Sequence, residues 1–370
     1  MEKIKQYSVI LLFFLFIFGF SLAHFLLPDE EFSSQERKPL AQAPELTAQG
    51  IFSGDYFTDA ETYLLDQFPL RYSLLNCKRF LDKNIYLMSS SGGYSSVEDH
   101  LTKLDPKLDE AQVQHAIDLI NRIIDSLPEV NSLHYGIIPD KNYFISQISN
   151  QPALDYDRLY AMAEQIHAQE IDLRPLLSLD DYYRTDSHWK QERILPVAEA
   201  ICKALGVTVA DPDSYSPHSL EGFKGVYYEL TDTPPEPDTL TYLTNAAIEG
   251  AVVSHMNDRM QWEAMSVYTE ENFGKANTDS YDVFLDGPEP LITIENPKAG
   301  NDRHLILFRD SFGSSLTPLL VDSYAKITVV DLRYVNWHIL QRMNIDYKGA
   351  DVLFLYGTTL LNSAISAGLR

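Results

Sequence analysis

Residues 8–27, SVILLFFLFIFGFSLAHFLL, form a continuous apolar run without Asp, Glu, Lys or Arg. At about 1.5 Å of rise per residue, a helix of this length spans the ~30 Å hydrocarbon core of a bilayer. Lys3 and Lys5 precede the run, and the acidic residues 29–31 follow it. The positive-inside bias therefore predicts a cytoplasmic N-terminus, with the rest of the chain outside the membrane.

A cleaved signal peptide is the alternative interpretation of this segment. The sequence Ser-Leu-Ala at 21–23 offers small residues at a cleavage site. We favour an uncleaved anchor, residues 1–27, because the apolar run is longer than an ordinary signal-peptide core and continues past Ala23. Under either interpretation, the folded part of the chain faces outward.

The rest of the 370-residue chain divides by composition. Residues 28–50 are polar and contain prolines without sustained periodicity, which predicts a linker. Residues 51–370 have enough apolar periodicity for one large domain. Within it, residues from about 211 to 300 are rich in proline and in short β-type runs, which predicts an irregular β-rich insertion. Its aromatic residues suit either sugar stacking or ordinary packing, and packing is the commoner use.

The C-terminal part predicts an α/β fold. Residues 304–308, 326–332 and 351–357 are apolar strand-like segments, separated by helical stretches that begin near Ser314 and Val335. Strands that alternate with helices indicate a parallel sheet covered by helices on both faces.

Charge and cysteine content exclude several classes of protein. The net charge of −24 argues against an extended nucleic-acid surface, because phosphate binding needs clustered Lys and Arg. Cys77 and Cys202 are too few for a disulfide scaffold and lack the spacing of a zinc site. The sequence does not decide whether they pair.

Thr-Asp-Ser-His-Trp, residues 185–189, is the first element that could carry chemistry. A histidine that acts as a base needs a partner that fixes its tautomer and stabilises its protonated form. Asp186 is close enough in sequence to do this for His188. Alone the pattern is weak, since an Asp before a helix is usually an N-cap.

Arg-Asp-Ser-Phe-Gly, residues 309–313, is the second element. It follows the strand-like segment 304–308, so Ser311 is predicted at the carboxyl edge of the sheet, where open α/β proteins bind ligands. The start of the next helix would offer backbone N–H groups to an oxyanion, and Gly313 would allow a close approach. A helix cap is the structural alternative.

Together the two elements supply a nucleophile, a base and a group that orients the base, each at the end of a predicted strand or extended segment. A metal site built from Asp186, His188 and Asp310 is a poorer interpretation, because no second His or Cys stands at ligand spacing nearby.

The segments YYRTDSHW and LFRDSFG resemble the DHHW proteins, relatives of the AlgJ/AlgX-like alginate O-acetyltransferases. The segments ERKPLAQAPEL, GDYFTDAETYLLDQFPLRYSLLNCKR and FKGVYYEL extend the resemblance from about residue 36 to the C-terminus. Position 187 is Ser, where the family name implies a second His.

The resemblance implies an SGNH-hydrolase-like domain with rearranged motif order, since Asp-x-His precedes the serine block. It implies that Ser311 is the nucleophile, His188 the general base and Asp186 its orienting residue. No Gly-x-Asn-Asp block is visible for the usual oxyanion donors. Gly313 and, after later strands, Arg333 and Asn362 are candidates for substrate or oxyanion contacts. Surface positions are the equal alternative for Arg333 and Asn362.

The expected activity is O-acyl transfer, most plausibly of acetyl, to an extracytoplasmic glycan through an acyl-enzyme. A carbohydrate O-acetylesterase and a non-catalytic glycan-binding or scaffold protein are the alternatives. A Ser311 Oγ within roughly 3–4 Å of a His188 ring nitrogen favours catalysis, whereas a separation beyond ~10 Å favours binding. No metal or nucleotide cofactor is implied. The resemblance also implies a membrane-bound O-acyltransferase as the partner that delivers the acyl group.

Overall fold

A computed structural model describes residues 2–33, 38–84, 90–91, 93–231, 234–257, 259–343 and 345–369. The chain forms two compact units. One comprises Met1–Gly92 with Glu229–Asp232, and the other comprises Gly93–Tyr228 with Thr233–Arg370. The sequence predicts a domain that begins at residue 51, whereas the larger compact unit begins at Gly93.

The first unit begins with helix α1 (Glu2–Leu26), whose Tyr7–Leu26 portion is long and apolar enough to cross a membrane. The sequence predicts an anchor at this place. The remaining elements of the unit are short: β1 (Phe32–Ser33), β2 (Lys38–Pro39), α2 (Ala48–Ser53), α3 (Asp55–Asp66), α4 (Arg71–Asn84) and β3 (Ser90–Ser91).

The second unit alternates strands and helices. Its strands and α-helices, in chain order, are β4 (Tyr94–Val97), β5 (His100–Lys103), α5 (Glu110–Ser126), β6 (Ser132–Ile138), α6 (Lys141–Ile148), α7 (Tyr156–Ala163), β7 (Gln169–Glu170), α8 (Leu195–Leu205), β8 (Ser216–Phe223), β9 (Asp238–Thr244), α9 (Ala246–Glu249), β10 (Val252–Met256), β11 (Trp262–Met265), β12 (Leu291–Glu295), β13 (His304–Arg309), α10 (Phe312–Leu316), β14 (Lys326–Val330), α11 (Trp337–Leu340), β15 (Asp351–Gly357) and α12 (Thr358–Leu361). Short 3-10 helices include Arg174–Leu176, Leu179–Asp181, Gln191–Arg193, Pro212–Ser214, Glu270–Asn272, Ser280–Val283 and Thr317–Ser323.

A mixed sheet forms the centre of this unit. Among the described residues its strand order is β11-β10-β12-β14-β13-β15-β6-β7. The strands from β14 to β7 run parallel to one another. On the other side, β12 pairs with β14, β10 pairs with β12 and β11 pairs with β10, each in antiparallel orientation. The predicted α/β class is confirmed. The β-rich region around 211–300 contributes the three antiparallel strands, so the sheet is mixed and not purely parallel.

Alternating side chains of the central strands pack on opposite faces, as expected for strands buried on both sides. On β13, Ile306 and Phe308 pack in a core shared with α5 and α7. Leu305 and Leu307 pack in a second core shared with α8. Each fully buried side chain of this size contributes roughly 1.5–3 kcal/mol to folding. The helices therefore cover both faces of the sheet.

Some local structure differs from the sequence-based expectation. The sequence IDLRPLL at 171–177 predicts a short extended piece, but this segment contains the 3-10 helix Arg174–Leu176, with Pro175 in its first turn. The helix expected after Ser311 is only five residues long as α10. It continues as a 3-10 helix, Thr317–Ser323, with Pro318 near its start, where the missing N–H cannot extend the α-helical ladder.

The carboxyl ends of the parallel strands bring several polar side chains to one edge of the sheet. Ser311 follows β13, Asp331 follows β14, Gly357 ends β15 and Asp140 follows β6. Neighbouring parallel strands end at the same edge, where α/β proteins bind ligands.

Candidate active site

Asp186, His188 and Ser311 form one continuous chain of hydrogen bonds. The Nε2 atom of His188 lies 2.7 Å from Ser311 Oγ, and its Nδ1 atom lies 2.6 Å from Asp186 Oδ1. All three residues come from the predicted elements. The Ser–His distance of 2.7 Å is shorter than the limit of roughly 3–4 Å that favours a catalytic pair.

The surroundings shift the pKa values of Asp186 and His188 in opposite directions. Burial opposes ionisation of Asp186, but the charge of His188 and hydrogen bonds from His188 and Val226 outweigh it and lower the Asp186 pKa well below its ordinary value. Burial also lowers the His188 pKa, yet interaction with Asp186 outweighs this and raises it. His188 is thus held beside a carboxylate that stabilises its protonated form.

Asp238 fixes the backbone that precedes Asp186. Its carboxylate accepts hydrogen bonds from the backbone N–H of Arg184 at 3.1 Å and of Thr185 at 2.8 Å, and from Thr185 Oγ1 at 2.7 Å. Asp238 is the first residue of β9, in the predicted insertion. The insertion therefore holds the loop that carries the orienting residue.

Gly225 allows a second segment to approach this loop closely. Its N–H donates to Thr185 Oγ1 at 3.0 Å, and the next N–H, from Val226, donates to Asp186 Oδ2 at 2.8 Å. A Cβ atom at position 225 would lie 2.3 Å from Asp186 Cβ and 2.4 Å from the Thr185 carbonyl oxygen. Only glycine fits here without displacement of Asp186.

Trp189 joins the histidine loop to the serine loop. Its indole N–H is shared between the Phe312 carbonyl at 3.1 Å and Ser315 Oγ at 2.9 Å. The side chain is fully buried. The hydrogen bonds fix the spacing between His188 and Ser311.

Asp310 holds the turn around Ser311. Its Oδ1 accepts the N–H of Phe312 at 3.1 Å, and its Oδ2 accepts the N–H of Gly357 at 2.7 Å. Burial raises the Asp310 pKa, although Arg333 and these hydrogen bonds act in the opposite direction. The sequence predicts that backbone N–H groups at the start of this helix bind an oxyanion, and one of them, that of Phe312, donates to Asp310 instead.

The three residues predicted for substrate or oxyanion contacts occupy different places. Arg333 lines the cavity beside Ser311, and Asp331 holds its guanidinium through contacts of 2.9 Å and 2.6 Å. Gly313 donates its N–H to the Asp310 carbonyl at 3.0 Å and packs against Arg309, where a Cβ atom would lie 2.6 Å from Arg309 Cβ.

Asn362 also binds within the protein. Its side chain accepts from the Asp109 N–H at 2.8 Å and donates to Asp105 and to the Lys107 carbonyl at 3.0 Å each. Neither Gly313 nor Asn362 is among the residues that line the cavity. In this structure Gly313 packs against Arg309 and Asn362 anchors a loop, and their contacts with substrate or oxyanion stay predictions.

Ser311 and His188 open onto a cavity of about 290 Å³. Most of the residues that line it carry polar side chains, with hydroxyls, carboxylates, amides and cations from several loops at the sheet edge. These residues are Thr102, Lys103, Asp105, Asp140, Lys141, Asn142, Leu154, Ser187, His188, Tyr227, Asp310, Ser311, Phe312, Arg333, Gly357, Thr359, Leu360, Ser363 and Ala367. Such a lining suits a ligand with many hydrogen-bonding groups.

Sequence reasoning missed Asp238, Gly225 and Lys141. The separations along the chain explain this, because Asp238 lies 53 residues from Thr185, which it binds. Within the described ranges, no group of three or more His, Cys, Asp or Glu side chains is arranged to hold a metal ion. Both cysteines are free thiols, Cys202 buried and Cys77 exposed.

The family model described as DHHW protein matches residues 173–330, a segment that contains Asp186, His188 and Ser311. The predicted resemblance to the DHHW proteins is thereby confirmed over this segment. No curated protein sequence matches the chain significantly.

Two solved structures share the fold, and a third is more distantly similar. A DHHW family protein from Eubacterium siraeum is 21% identical, with a TM-score of 0.61, covering 76% of this chain and 97% of that one. PatB1 from Bacillus cereus, solved with a sulfonyl adduct, is 17% identical, with a TM-score of 0.57 and coverages of 72% and 95%. The O-acetyltransferase domain of AlgJ from Pseudomonas putida is 13% identical, with a TM-score of 0.42 and coverages of 73% and 92%. The first two likenesses agree with the predicted SGNH-hydrolase-like fold.

Proposed function

We propose that the chain is an O-acyltransferase that forms an acyl-enzyme on Ser311 and passes the acyl group to a hydroxyl of an extracytoplasmic glycan. The observation that carries the proposal is the Asp186–His188–Ser311 hydrogen-bond chain at the wall of a polar cavity. A serine hydroxyl is a weak nucleophile until an adjacent base accepts its proton, and a third group must orient that base.

In the first half-reaction, His188 Nε2 accepts the Ser311 proton while Oγ attacks the acyl carbonyl carbon of the donor. The tetrahedral intermediate collapses, the bond to the donor's leaving oxygen or sulfur breaks, and that atom takes the proton from His188. The product is an ester on Ser311. Asp186 stays ionised throughout and stabilises the imidazolium.

In the second half-reaction, His188 accepts the proton of an acceptor hydroxyl, whose oxygen attacks the Ser311 ester. Collapse returns the electron pair to Ser311 Oγ, which takes the proton from His188, and the acyl group leaves on the acceptor. We assign the stabilisation of the intermediate's oxyanion to Arg333, the cation that Asp331 holds at the cavity wall.

The polar lining supports a glycan acceptor. Thr359, Lys103 and Asp105 line the cavity with a hydroxyl, an ammonium and a carboxylate, which offer both donors and acceptors to a polyhydroxyl ligand. The apolar helix α1 and the charges that flank it support a location outside the cytoplasm.

A multispanning membrane O-acyltransferase is the proposed source of the acyl group. A single membrane-spanning helix provides no conduit for a polar, thioester-activated donor across the bilayer. Deletion of such a partner should abolish glycan acylation while this chain is present, and deletion of this chain should lower acylation too. An increase in acylation on deletion of this chain would instead establish the esterase alternative.

Acyl-enzyme formation is tested on the full-length chain in detergent. The protein is incubated with 4-nitrophenyl acetate, quenched in acid and digested, and the Ser311 peptide is weighed by mass spectrometry. We expect acetyl on Ser311, none in Ser311→Ala, and wild-type labelling in Ser366→Ala, which removes an exposed hydroxyl bonded to the Ser363 carbonyl. A wild-type chain that gains no acetyl would leave the non-catalytic binding alternative.

A sulfonyl fluoride provides a second probe of the same hydroxyl, because activated serines form stable sulfonyl esters. The likeness to the PatB1 structure solved with a sulfonyl adduct motivates this choice. Addition of an oligosaccharide acceptor to the acetylated enzyme then separates transferase from esterase. Acetyl appears on the sugar in the first case and as free acetate in the second.

A further inference from the structure

Lys141 is a buried lysine that the proposed reaction leaves unused. It is the first residue of α6, the helix that follows β6 and has Asp140 as its N-cap. Only 2% of the surface of Lys141 is exposed. It lines the same cavity as His188 and Ser311. Lysine is among the residues least often fully buried, because desolvation of an ammonium is costly unless partners compensate for it.

The partners of Lys141 lie on the segment that leads into the histidine loop. Its Nζ donates to the carbonyl of Tyr183 at 3.0 Å and to the carbonyl of Arg184 at 3.2 Å. The N–H of Tyr183 in turn donates to the carbonyl of His188 at 3.1 Å. One residue, Tyr183, therefore connects Lys141 directly to the backbone of the proposed base.

Charges surround the ammonium on several sides. Burial lowers the pKa of Lys141 to about 7, Asp186 and Asp238 oppose this shift, and Lys190 adds to it. The Tyr227 ring lies 5.4 Å from Nζ. Lys141 in turn contributes to the lowered pKa of His100, after the larger effect of burial. The electrostatic coupling to Asp186 is reciprocal, so a protonated Lys141 favours the ionised carboxylate.

We propose that Lys141 is a positioning residue of the acyl-transfer site, which holds the loop of Asp186 and His188 through two carbonyls and offsets part of the negative charge that faces His188. This inference rests on the proposed function. The negative groups that interact with His188 include Asp186, Asp279 and Asp310, and Asp282 as well. A positive charge among them keeps the imidazole from binding its proton too firmly to act as a base.

Two substitutions separate the hydrogen bonds from the charge. Lys141→Gln keeps N–H donors on a side chain of similar length but removes the charge, whereas Lys141→Met removes both. Lys203→Met is the control, because Lys203 is an exposed lysine on α8 and does not line the cavity. The rate of Ser311 acetylation is measured between pH 5 and 9 on full-length protein in detergent.

For Lys141→Met we expect at least a tenfold loss of acetylation rate at pH 6.5. For Lys141→Gln we expect a smaller loss, with the acidic limb of the pH–rate profile moved to higher pH, because His188 then binds its proton more tightly. Lys203→Met should keep the wild-type rate within twofold. Lys141→Arg, which keeps both charge and donors, should restore the acidic limb to its wild-type position.

The outcomes distinguish this inference from the proposed function. If the wild-type chain forms no acetyl-Ser311, the proposed function fails. If the wild type is acetylated and Lys141→Gln keeps both its rate and its acidic limb, the positioning role is overturned. A loss of rate with an unmoved limb, without recovery in Lys141→Arg, would reduce Lys141 to a structural role and overturn the proposal too. If Lys141→Met fails to fold, Lys141→Gln decides.

Discussion

The imidazole ring of His188 lies flat on the phenol ring of Tyr281, with ring centroids 3.9 Å apart and planes 7° from parallel. The Tyr281 hydroxyl donates to Ser315 Oγ at 2.7 Å, and this oxygen also accepts the Trp189 indole N–H. The stack therefore rests on the same contacts that join the histidine and serine loops. An aromatic face beside an imidazolium stabilises its positive charge.

Tyr281→Leu should lower the acetylation rate of Ser311 by about tenfold, because the His188 ring loses its support and its cation–π partner. The acidic limb of the pH–rate profile should move to lower pH, since the protonated imidazole is less stable. Tyr281→Phe, which keeps the ring and loses only the bond to Ser315, should stay within about threefold of wild type. Equal losses in both variants would contradict a role for the stack.

The reaction should need a neutral His188, so the rate should fall as pH drops through its pKa, which interaction with Asp186 raises above the ordinary histidine value. Asp186→Asn removes that charge, so the acidic limb should move to lower pH. The maximal rate should nonetheless fall by roughly 10³–10⁴, because the imidazole loses its correct tautomer. Stopped-flow acetylation across pH 4–9 measures both effects. A limb that stays in place in Asp186→Asn would show that another group controls it.

Gly225→Ala tests the close approach of the insertion to the orienting residue. Its methyl group would overlap Asp186 Cβ and the Thr185 carbonyl, so the loop must move. We expect the unfolding free energy to fall by about 1–3 kcal/mol and the rate of Ser311 acetylation to fall at least tenfold. Gly300→Ala is the control, since a Cβ atom there meets nothing within 4 Å. Chemical denaturation and the acetylation assay on both variants decide the point.

The strand-turn-serine element could be predicted from the sequence because its signals are local. The apolar segment 304–308 and the Asp-Ser that follows it determine both the strand β13 and the edge at which Ser311 lies. Asp186 and His188 were predictable for the same reason, since two residues of one loop provide the whole contact.

The supports of the site could not be predicted, because they depend on contacts between distant parts of the chain. Asp238 binds a loop 53 residues earlier, and Lys141 reaches carbonyls 42 and 43 residues later. Nothing in the spacing of these residues marks them. The oxyanion role expected for the backbone N–H groups of the helix start also depended on side-chain placement, since the Phe312 N–H donates to the Asp310 carboxylate.

The N-terminal helix should remain part of the mature protein. Phe20, which precedes the candidate cleavage site after Ala23, stacks on Phe68 with centroids 5.3 Å apart, and His24, just beyond that site, contacts the Gln67 carbonyl at 3.2 Å. Cleavage after Ala23 would remove Phe20 and, with it, the stack on Phe68. N-terminal sequencing of the membrane-extracted protein should therefore give a chain that starts at or near Met1, and protease added to cells without their wall should digest the rest.

Ala23→Leu, which removes the small residue that signal peptidase needs, serves as the comparison. Identical mobility of wild type and Ala23→Leu supports retention, whereas a shorter wild-type chain that begins at His24 would establish cleavage.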